Sequence, residues 1–459
     1  MDTRDTSAQA KPELNEEPPY PPIGYAWYVV GVLMILYVLS FIDRQIMSLI
    51  VEPMKRDLEV SDTLMGLLMG TSFAIFYTLF GMPLGRLADS RSRRGIIAAG
   101  VFLWSLMTAF CGIARNYAQL FAYRVGVGIG EAALSPAAYS LITDYFPRNR
   151  LATAISVYGM GIYLGSGLAY LLGGYVIQFV YGADMIDVPI LGAVRPWQTV
   201  FLIVGIPGIF FSLLMLTVRE PFRRGLKARA GASSSVPLKA VLDYIHANKA
   251  TFFCHNMSFA LMAMAGYGSI SWIPAFFIRT HGWEAADVGK TYGAIMMVFG
   301  STGIVFGGYL ADRLAAKGHI DSKMRAGVVA ALASVPLSLA YPLVPDGRLA
   351  MVLLAPLAFA VAMPFGAAPA AMQEVMPANM RGQAGALYLF VVNLIGIGLG
   401  APTVGALTDF VFKDESMVRY SLCIVGTACG IVAAGLLILG LAPFRRSMQH
   451  LEEWHTSNV

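Results

Sequence analysis

Four charged side chains interrupt otherwise apolar runs of this 459-residue sequence: Asp43 and Arg44 in one run, Arg124 and Glu131 in another. An ionised group in hydrocarbon is costly, so such residues pair with one another or handle protons and charged ligands. Arg124 and Glu131 are seven positions apart, which puts them on one helical face about 10 Å from each other. Glu131 falls near the middle of its run and has no evident partner in the sequence. It is the first candidate for taking up and releasing a proton, with Asp43 in support. Asp43 and Arg124 fall at a similar depth, so a facing Asp43–Arg124 pair is expected. Arg44 points about 100° away from Asp43 on a helix. It is a candidate for holding an anionic substrate group or for pairing with another acid. Gly126, Gly128 and Gly130 keep the second run thin, with room for a cavity or a close neighbour.

Other chemistry is poorly served. The sequence has no HExxH or GxSxG motif and no Cys/His cluster. Cys111, Cys254, Cys423 and Cys429 all fall inside apolar runs and read as small buried residues. No catalytic residue, metal site or cofactor is expected, and the protein is not read as an enzyme. The histidines lie in or near connections except His255, at the start of a run, which reads as a satisfied interfacial residue. Glu374 and Asp409 read as interfacial acids.

The elements that must position these residues are membrane helices. The chain is 57% hydrophobic and 13% charged, against about a quarter charged in soluble domains. About 20 apolar residues cross a bilayer, and twelve such runs consume the sequence: 27–50, 64–85, 95–114, 118–143, 151–175, 198–218, 251–278, 287–311, 326–344, 349–373, 382–409 and 420–443. Helices are expected because backbone in lipid must satisfy its own hydrogen bonds, and the ten-residue alternation of a barrel is missing. The fold class is therefore all-α, a twelve-helix membrane protein.

The net charge of +5 does not indicate nucleic-acid binding; its placement sets topology. With the N-terminus inside, the cytoplasmic side collects 22 of the 33 basic residues, which predicts both termini in the cytoplasm. Residues 1–24 are polar and net acidic, unlike a cleavable signal. The densest basic cluster, Arg219 to Arg229, opens the longest connection. The expected organisation is a tail over 1–26, a six-helix bundle over 27–218, a linker over 219–250, a second bundle over 251–443 and a tail over 444–459. A monomer in a bacterial inner membrane is expected.

The halves repeat. Gly85-Arg86-Leu87-Ala88-Asp89 after run 2 matches Gly308-Tyr309-Leu310-Ala311-Asp312-Arg313 after run 8. Asp144-Tyr145-Phe146-Pro147 after run 4, with Arg150 beyond, matches Glu374-Val375-Met376-Pro377, with Arg381 beyond. Parallel six-span repeats, together with a loop reading Gly85-Arg86-Leu87-Ala88-Asp89-Ser90-Arg91-Ser92-Arg93-Arg94, resemble the major facilitator transporters and the signature between their spans 2 and 3. The resemblance implies two six-helix bundles and makes Gly85, Asp89, Arg93 and Asp144 gate elements: small residues for close packing, and an arginine latch onto acids at helix ends. Ser90 and Ser92 depart from the usual basic residue and Gly, which implies a looser latch.

A narrower resemblance rests on Phe41-Ile42-Asp43-Arg44-Gln45, on Tyr123-Arg124-Val125-Gly126-Val127-Gly128-Ile129-Gly130-Glu131-Ala132, on Asp144-Tyr145-Phe146-Pro147 and on the Gly-rich run 5. These resemble the Spinster family, most strongly over residues 25–175. Run 5 lacks the Gly-Pro pair usual in drug antiporters. The resemblance implies a small amphiphilic, lipid-like substrate, as animal relatives move sphingosine phosphate or lysophospholipids, with protons as the coupling ion and the bilayer as the setting. Asn256, Tyr267, Trp272, Met363, Phe365, Tyr388 and Asn393 are the candidates to line an apolar cavity facing the charged N-terminal wall. Transport of drugs or small organic anions, or ligand sensing without transport, are the alternatives.

Overall fold

A computed structural model describes residues 19–180, 185–189, 191–223, 237–377 and 380–457; for Asp89, Arg148, Asn149, Ala152, Val180, Leu238, Gly382 and residues 452–457 it describes the backbone alone. Most of the expected N-terminal tail and residues 224–236 of the expected linker lie outside these limits. Among the described residues, twelve helices are long and apolar enough to cross a membrane. Spans 1 to 6 are Ile23–Leu49, Asp62–Ala88, Arg93–Cys111, Tyr117–Tyr145, Thr153–Phe179 and Pro196–Thr217. Spans 7 to 12 are Lys249–His281, Ala285–Ala316, Ser322–Ala340, Gly347–Glu374, Gln383–Phe412 and Glu415–Leu451. The helix of span 12 continues past the apolar run to Ser457. A short antiparallel hairpin, Ile186–Val188 with Gly192–Val194, joins spans 5 and 6. A helix over Leu238–Ala247 leads into span 7. Its Tyr244 donates to the Val375 carbonyl at 2.9 Å.

Helix starts follow local capping chemistry. Ser61, Ser92, Asn116 and Asp346 each accept a main-chain N–H of the turn they open. Span 7 stops at Gly282, whose φ of +66° is the left-handed conformation glycine adopts freely. Proline shapes the centre. Pro136 cannot donate to the Ala132 carbonyl, and span 4 is interrupted at Ala132–Ala133, between helices Tyr117–Glu131 and Leu134–Tyr145. Glu131 thus sits at the break. Span 10 is interrupted in the same way at Met363, just before Pro364 and Phe365. Spans 8 and 11 carry π-helical turns at Met296–Gly300 and Asn393–Ile397, a local widening common where helices line sites.

Among the described residues, the hydrogen bonds and ion pairs that join the two halves lie toward the end of the bundle bearing the connections between spans 1 and 2, 7 and 8, and 11 and 12. This is the end opposite the termini and is called the closed end below. Two of these bonds satisfy carbonyls that proline has orphaned. Pro274 leaves the Ile270 oxygen without its helical donor, and Tyr170 of span 5 donates to it at 2.6 Å. Pro402 does the same to Gly398, and Thr71 of span 2 donates there at 2.7 Å. Beside them spans 5 and 8 touch through backbone: a Cβ on Gly167 would meet the Gly293 oxygen at 2.7 Å, and one on Gly293 the Gly167 oxygen at 2.6 Å. Removing a buried donor costs about 1–3 kcal/mol. Tyr170→Phe is therefore expected to weaken closure at this end and to lower the melting temperature of the detergent-solubilised protein; an unchanged melting curve would contradict it.

Candidate functional site

Span 1 brings two adjacent faces to the centre. Ser40 and Arg44, one turn apart, face span 4. The Ser40 hydroxyl donates to Glu131 Oε2 at 2.5 Å, and the Arg44 guanidinium forms an ion pair with the same oxygen. Glu131 is only 1% exposed and its Oε1 has no partner among the described residues. The Arg44 guanidinium lies over the rings of Phe41, Phe73 and Tyr77 at 4.6, 4.4 and 5.4 Å from their centroids. An aromatic box of this kind offsets part of the cost of burying a cation.

Asp43 occupies the neighbouring face and turns to span 3, where Thr108 donates to its Oδ2 at 3.2 Å. The expected Asp43–Arg124 ion pair does not form. Arg124 is fully buried, its Nη1 donates to the main-chain oxygen of Asp43 at 3.4 Å, and its Nε and Nη2 have no hydrogen-bond partner among the described residues. The reason is geometric: helical side chains lean toward the N-terminus. The long Arg44 side chain therefore reaches back to the level of Ser40 and Glu131, while the short Asp43 carboxylate stays with its own face. Glu131, read as partnerless, thus takes Arg44. The span-4 glycines serve close neighbours: a Cβ on Gly128 would meet the Phe73 oxygen at 2.7 Å, and one on Gly130 the Trp104 nitrogen at 2.7 Å.

Against this wall lies a cavity of about 210 Å³, lined by uncharged residues. Tyr267, Phe365, Tyr388 and Asn393 line it, together with Phe41 and Gln45 of span 1 and Tyr163 of span 5. A pocket of about 20 Å³ adjoins it, sharing Gln45, Tyr267 and Ile270, and among the described residues the one charged side chain on its wall is Arg44. Three of the expected lining residues lie elsewhere. Trp272 is fully buried and its indole N–H donates to the Ala401 carbonyl at 2.9 Å, a packing role between spans 7 and 11. Asn256 sits 3.0 Å from His255 Nδ1, and Met363 is packed at the span-10 break. His255 is buried rather than interfacial, its Nε2 2.9 Å from the Ala368 carbonyl.

At the termini end, Arg93 is buried. Its guanidinium pairs with Asp144, reaches Ser140 Oγ at 2.9 Å and donates through Nε to Glu220 at 2.8 Å. Glu220 also accepts from Ser92 and the Arg94 N–H, both at 3.0 Å. Partial burial opposes the Glu220 charge, but these donors outweigh it and hold its carboxyl below the usual glutamate range. Stability from such a depressed carboxyl is present at neutral pH and lost only as the pH falls through the lowered value. Mild acidification therefore leaves the contacts of Glu220 intact. Gly85 approaches Pro136, with 3.6 Å from its would-be Cβ; the Asp89 side chain lies outside the described residues. Among the described contacts, the cluster ties spans 3 and 4 to the segment after span 6, all in one half. The pair recurs 230 residues later as Lys323–Glu374.

The bridge between the halves is at the closed end, and the sequence reading missed most of it. Arg279 of span 7 donates to Glu52 at 2.6 Å and to both Asp62 oxygens at 2.6 and 2.8 Å. Lys55 pairs with Asp62 at 2.7 Å and with Glu415 at 2.6 Å. Asp409 accepts from the Thr63 N–H and hydroxyl, both at 2.6 Å, capping span 2 from the other half. Asp62 is fully buried. Only the pairing of Asp62 with Thr63 at a helix start was a signal in the sequence, and it names no partner.

Two six-span halves around a central cavity, with ion pairs inside the spans, define a polytopic membrane transporter. Residues 33–401 match the Major Facilitator Superfamily, and the chain belongs to it. Within it the chain is similar to Spinster transporters. A solved bacterial homologue of the human lysosomal transporter Spinster, inward-facing and unoccupied, is 27% identical, superposes with a TM-score of 0.75, and is matched over 94% of this chain and 99% of that one. A "MFS-type efflux pump" of Mycolicibacterium smegmatis is 31% identical over 92% of this chain and 94% of its own. The "Sphingosine-1-phosphate transporter SPNS2" of Danio rerio is 28% identical over 60% of this chain and 55% of its own length.

Proposed function

We propose that this protein is a proton-coupled, alternating-access transporter of a single-chain anionic amphiphile. The observation that carries the reading is the junction of two environments: an uncharged, largely apolar cavity and a small pocket whose one charge, Arg44, is held by Glu131. An amphiphile has the same division. Its chain suits the cavity and its anionic head suits Arg44.

Coupling follows from the shared oxygen. A proton on Glu131 cancels the charge that holds Arg44 and frees the guanidinium for the head group. Proton and anion then favour one another's binding, reciprocally, and move together. Asp43 is the second carboxyl, buried beside Arg124 and free to follow changes in that charge. Gly85, Asp89, Arg93 and Asp144 act as the gate framework of the N-terminal half. The ion network around Arg279 is the gate that closes the opposite face. The basic clusters support a topology with both termini in the cytoplasm, the protein working as a monomer in the inner membrane. The SPNS2 relative is named for transport of a lipid phosphate, which supports this ligand class.

The efflux-pump relative favours a second reading, export of drug-like compounds. Purified protein in proteoliposomes separates the two. Flux of lysophosphatidate, sphingosine phosphate, a neutral sugar and a cationic dye is measured with and without a pH gradient. Gradient-driven flux of the anionic lipids is expected; flux confined to the dye would replace this reading with the drug one.

A further inference from the structure

The central cavity does not stop at the helices that face the other half. Its wall includes Ser334 and Ser338 of span 9 and Gly426 and Gly430 of span 12. Those spans pack on spans 7, 8, 10 and 11 of their own half, behind the layer that meets the N-terminal bundle. The cavity therefore has an arm that passes between spans 7 and 10 into the C-terminal bundle. Its floor is nearly all backbone and small side chains. Ser334 and Ser338 are one helical turn apart, as are Gly426 and Gly430, so each pair shares a face. A Cβ on Gly426 would lie 2.9 Å from the Ser338 Cβ, and one on Gly430 2.8 Å from Val335 Cγ2. The two helices are in contact there, and the arm ends against them. Leu354 and Leu357 of span 10, both buried, form its apolar flank, together with Ala358 of the same span.

Protein interiors keep few voids of this kind, and a largely apolar void takes apolar ligands; the Ser334 hydroxyl on its floor is already used, donating to the Ala331 carbonyl at 2.8 Å. We infer that this arm is a blind chain-length gauge, which takes the distal hydrocarbon of the transported amphiphile and sets the longest chain accepted. The inference rests on the amphiphile reading above. It adds that selectivity for the tail is set by spans 9, 10 and 12, distant from Arg44. A chain that fills the arm is held along its length. A longer one meets backbone that cannot move aside without parting two packed helices.

The test uses the full-length protein in proteoliposomes and a series of 1-acyl lysophosphatidates from decanoyl to arachidoyl. Flux is expected to rise with chain length to a cutoff and then to fall by about tenfold for each methylene in excess. Ala358→Leu adds three carbons to the arm and is expected to move the cutoff down by about three methylenes. Leu357→Ala is expected to move it up. The ratio of fluxes within each variant is read, so differences in expression or folded fraction cancel. Equal loss of flux at every chain length in Ala358→Leu, with an unmoved cutoff in Leu357→Ala, would overturn the gauge. Flux without any chain-length dependence in the unaltered protein would overturn the gauge alone. Absence of lysophosphatidate flux at every length would overturn the amphiphile reading and the gauge with it.

Discussion

Glu131→Gln is expected to lower pH-gradient-driven flux by about a hundredfold while exchange at equal pH on both sides persists. Glutamine matches the shape of glutamate and its oxygen can still accept from Ser40 and Arg44. What it loses is charge and the ability to titrate. Breaking one side of a buried ion pair costs about 3–5 kcal/mol when the other charge is left uncompensated. Here the rings of Phe41, Phe73 and Tyr77 around Arg44 recover about 2 kcal/mol of that, so the variant folds. With Arg44 no longer held by a charge, the head group is bound whether or not a proton arrives, and the gradient has nothing to act on. The measurement is lysophosphatidate flux in proteoliposomes, driven by a pH step and compared with counterflow. A variant that retained the full response to the pH step would remove Glu131 from the coupling role.

The second large effect is expected at the closed end. Arg279→Ala removes the only cation that bridges Glu52 and Asp62 across the halves among the described residues. Lys55 still pairs with Asp62, so the loss is not complete. The fully buried Asp62 carboxylate then keeps one counter-charge of two, at a cost of about 3 kcal/mol to the closed arrangement. The arrangement in which this end opens gives the acid access to water and does not bear that cost. The ratio of closed to open molecules should therefore fall by about a hundredfold. Spin labels on spans 2 and 7 near this end, read as a distance distribution, check the shift. An unchanged distribution would mean that the contacts of Tyr170 and Thr71 with orphaned carbonyls, and the glycine crossing of spans 5 and 8, hold the end shut without the ion pairs.

These two sites also differ in how far the sequence exposed them. Asp43, Arg44, Arg124 and Glu131 stand out because any charge inside an apolar run is conspicuous. Their importance needs no knowledge of the fold. Glu52, Lys55, Asp62 and Arg279 are unremarkable beside them, each being a charge near a span end where charges are ordinary. They become a gate only because two halves more than two hundred residues apart along the chain converge on one point.

The sequence by itself determined the number of spans, the helical class, the two-half repeat and the family, since apolar length, charge cost and motif spacing are local quantities that survive without coordinates. The tertiary structure alone decided the pairings. Whether Glu131 meets Arg44 or Arg124 turns on the rotation of one helix against another and on side-chain lean. Whether Trp272 lines a cavity or caps a carbonyl turns on where span 11 lies. The arm behind spans 7 and 10 exists because four small residues on spans 9 and 12 face the same space, and nothing along either helix announces what stands opposite it.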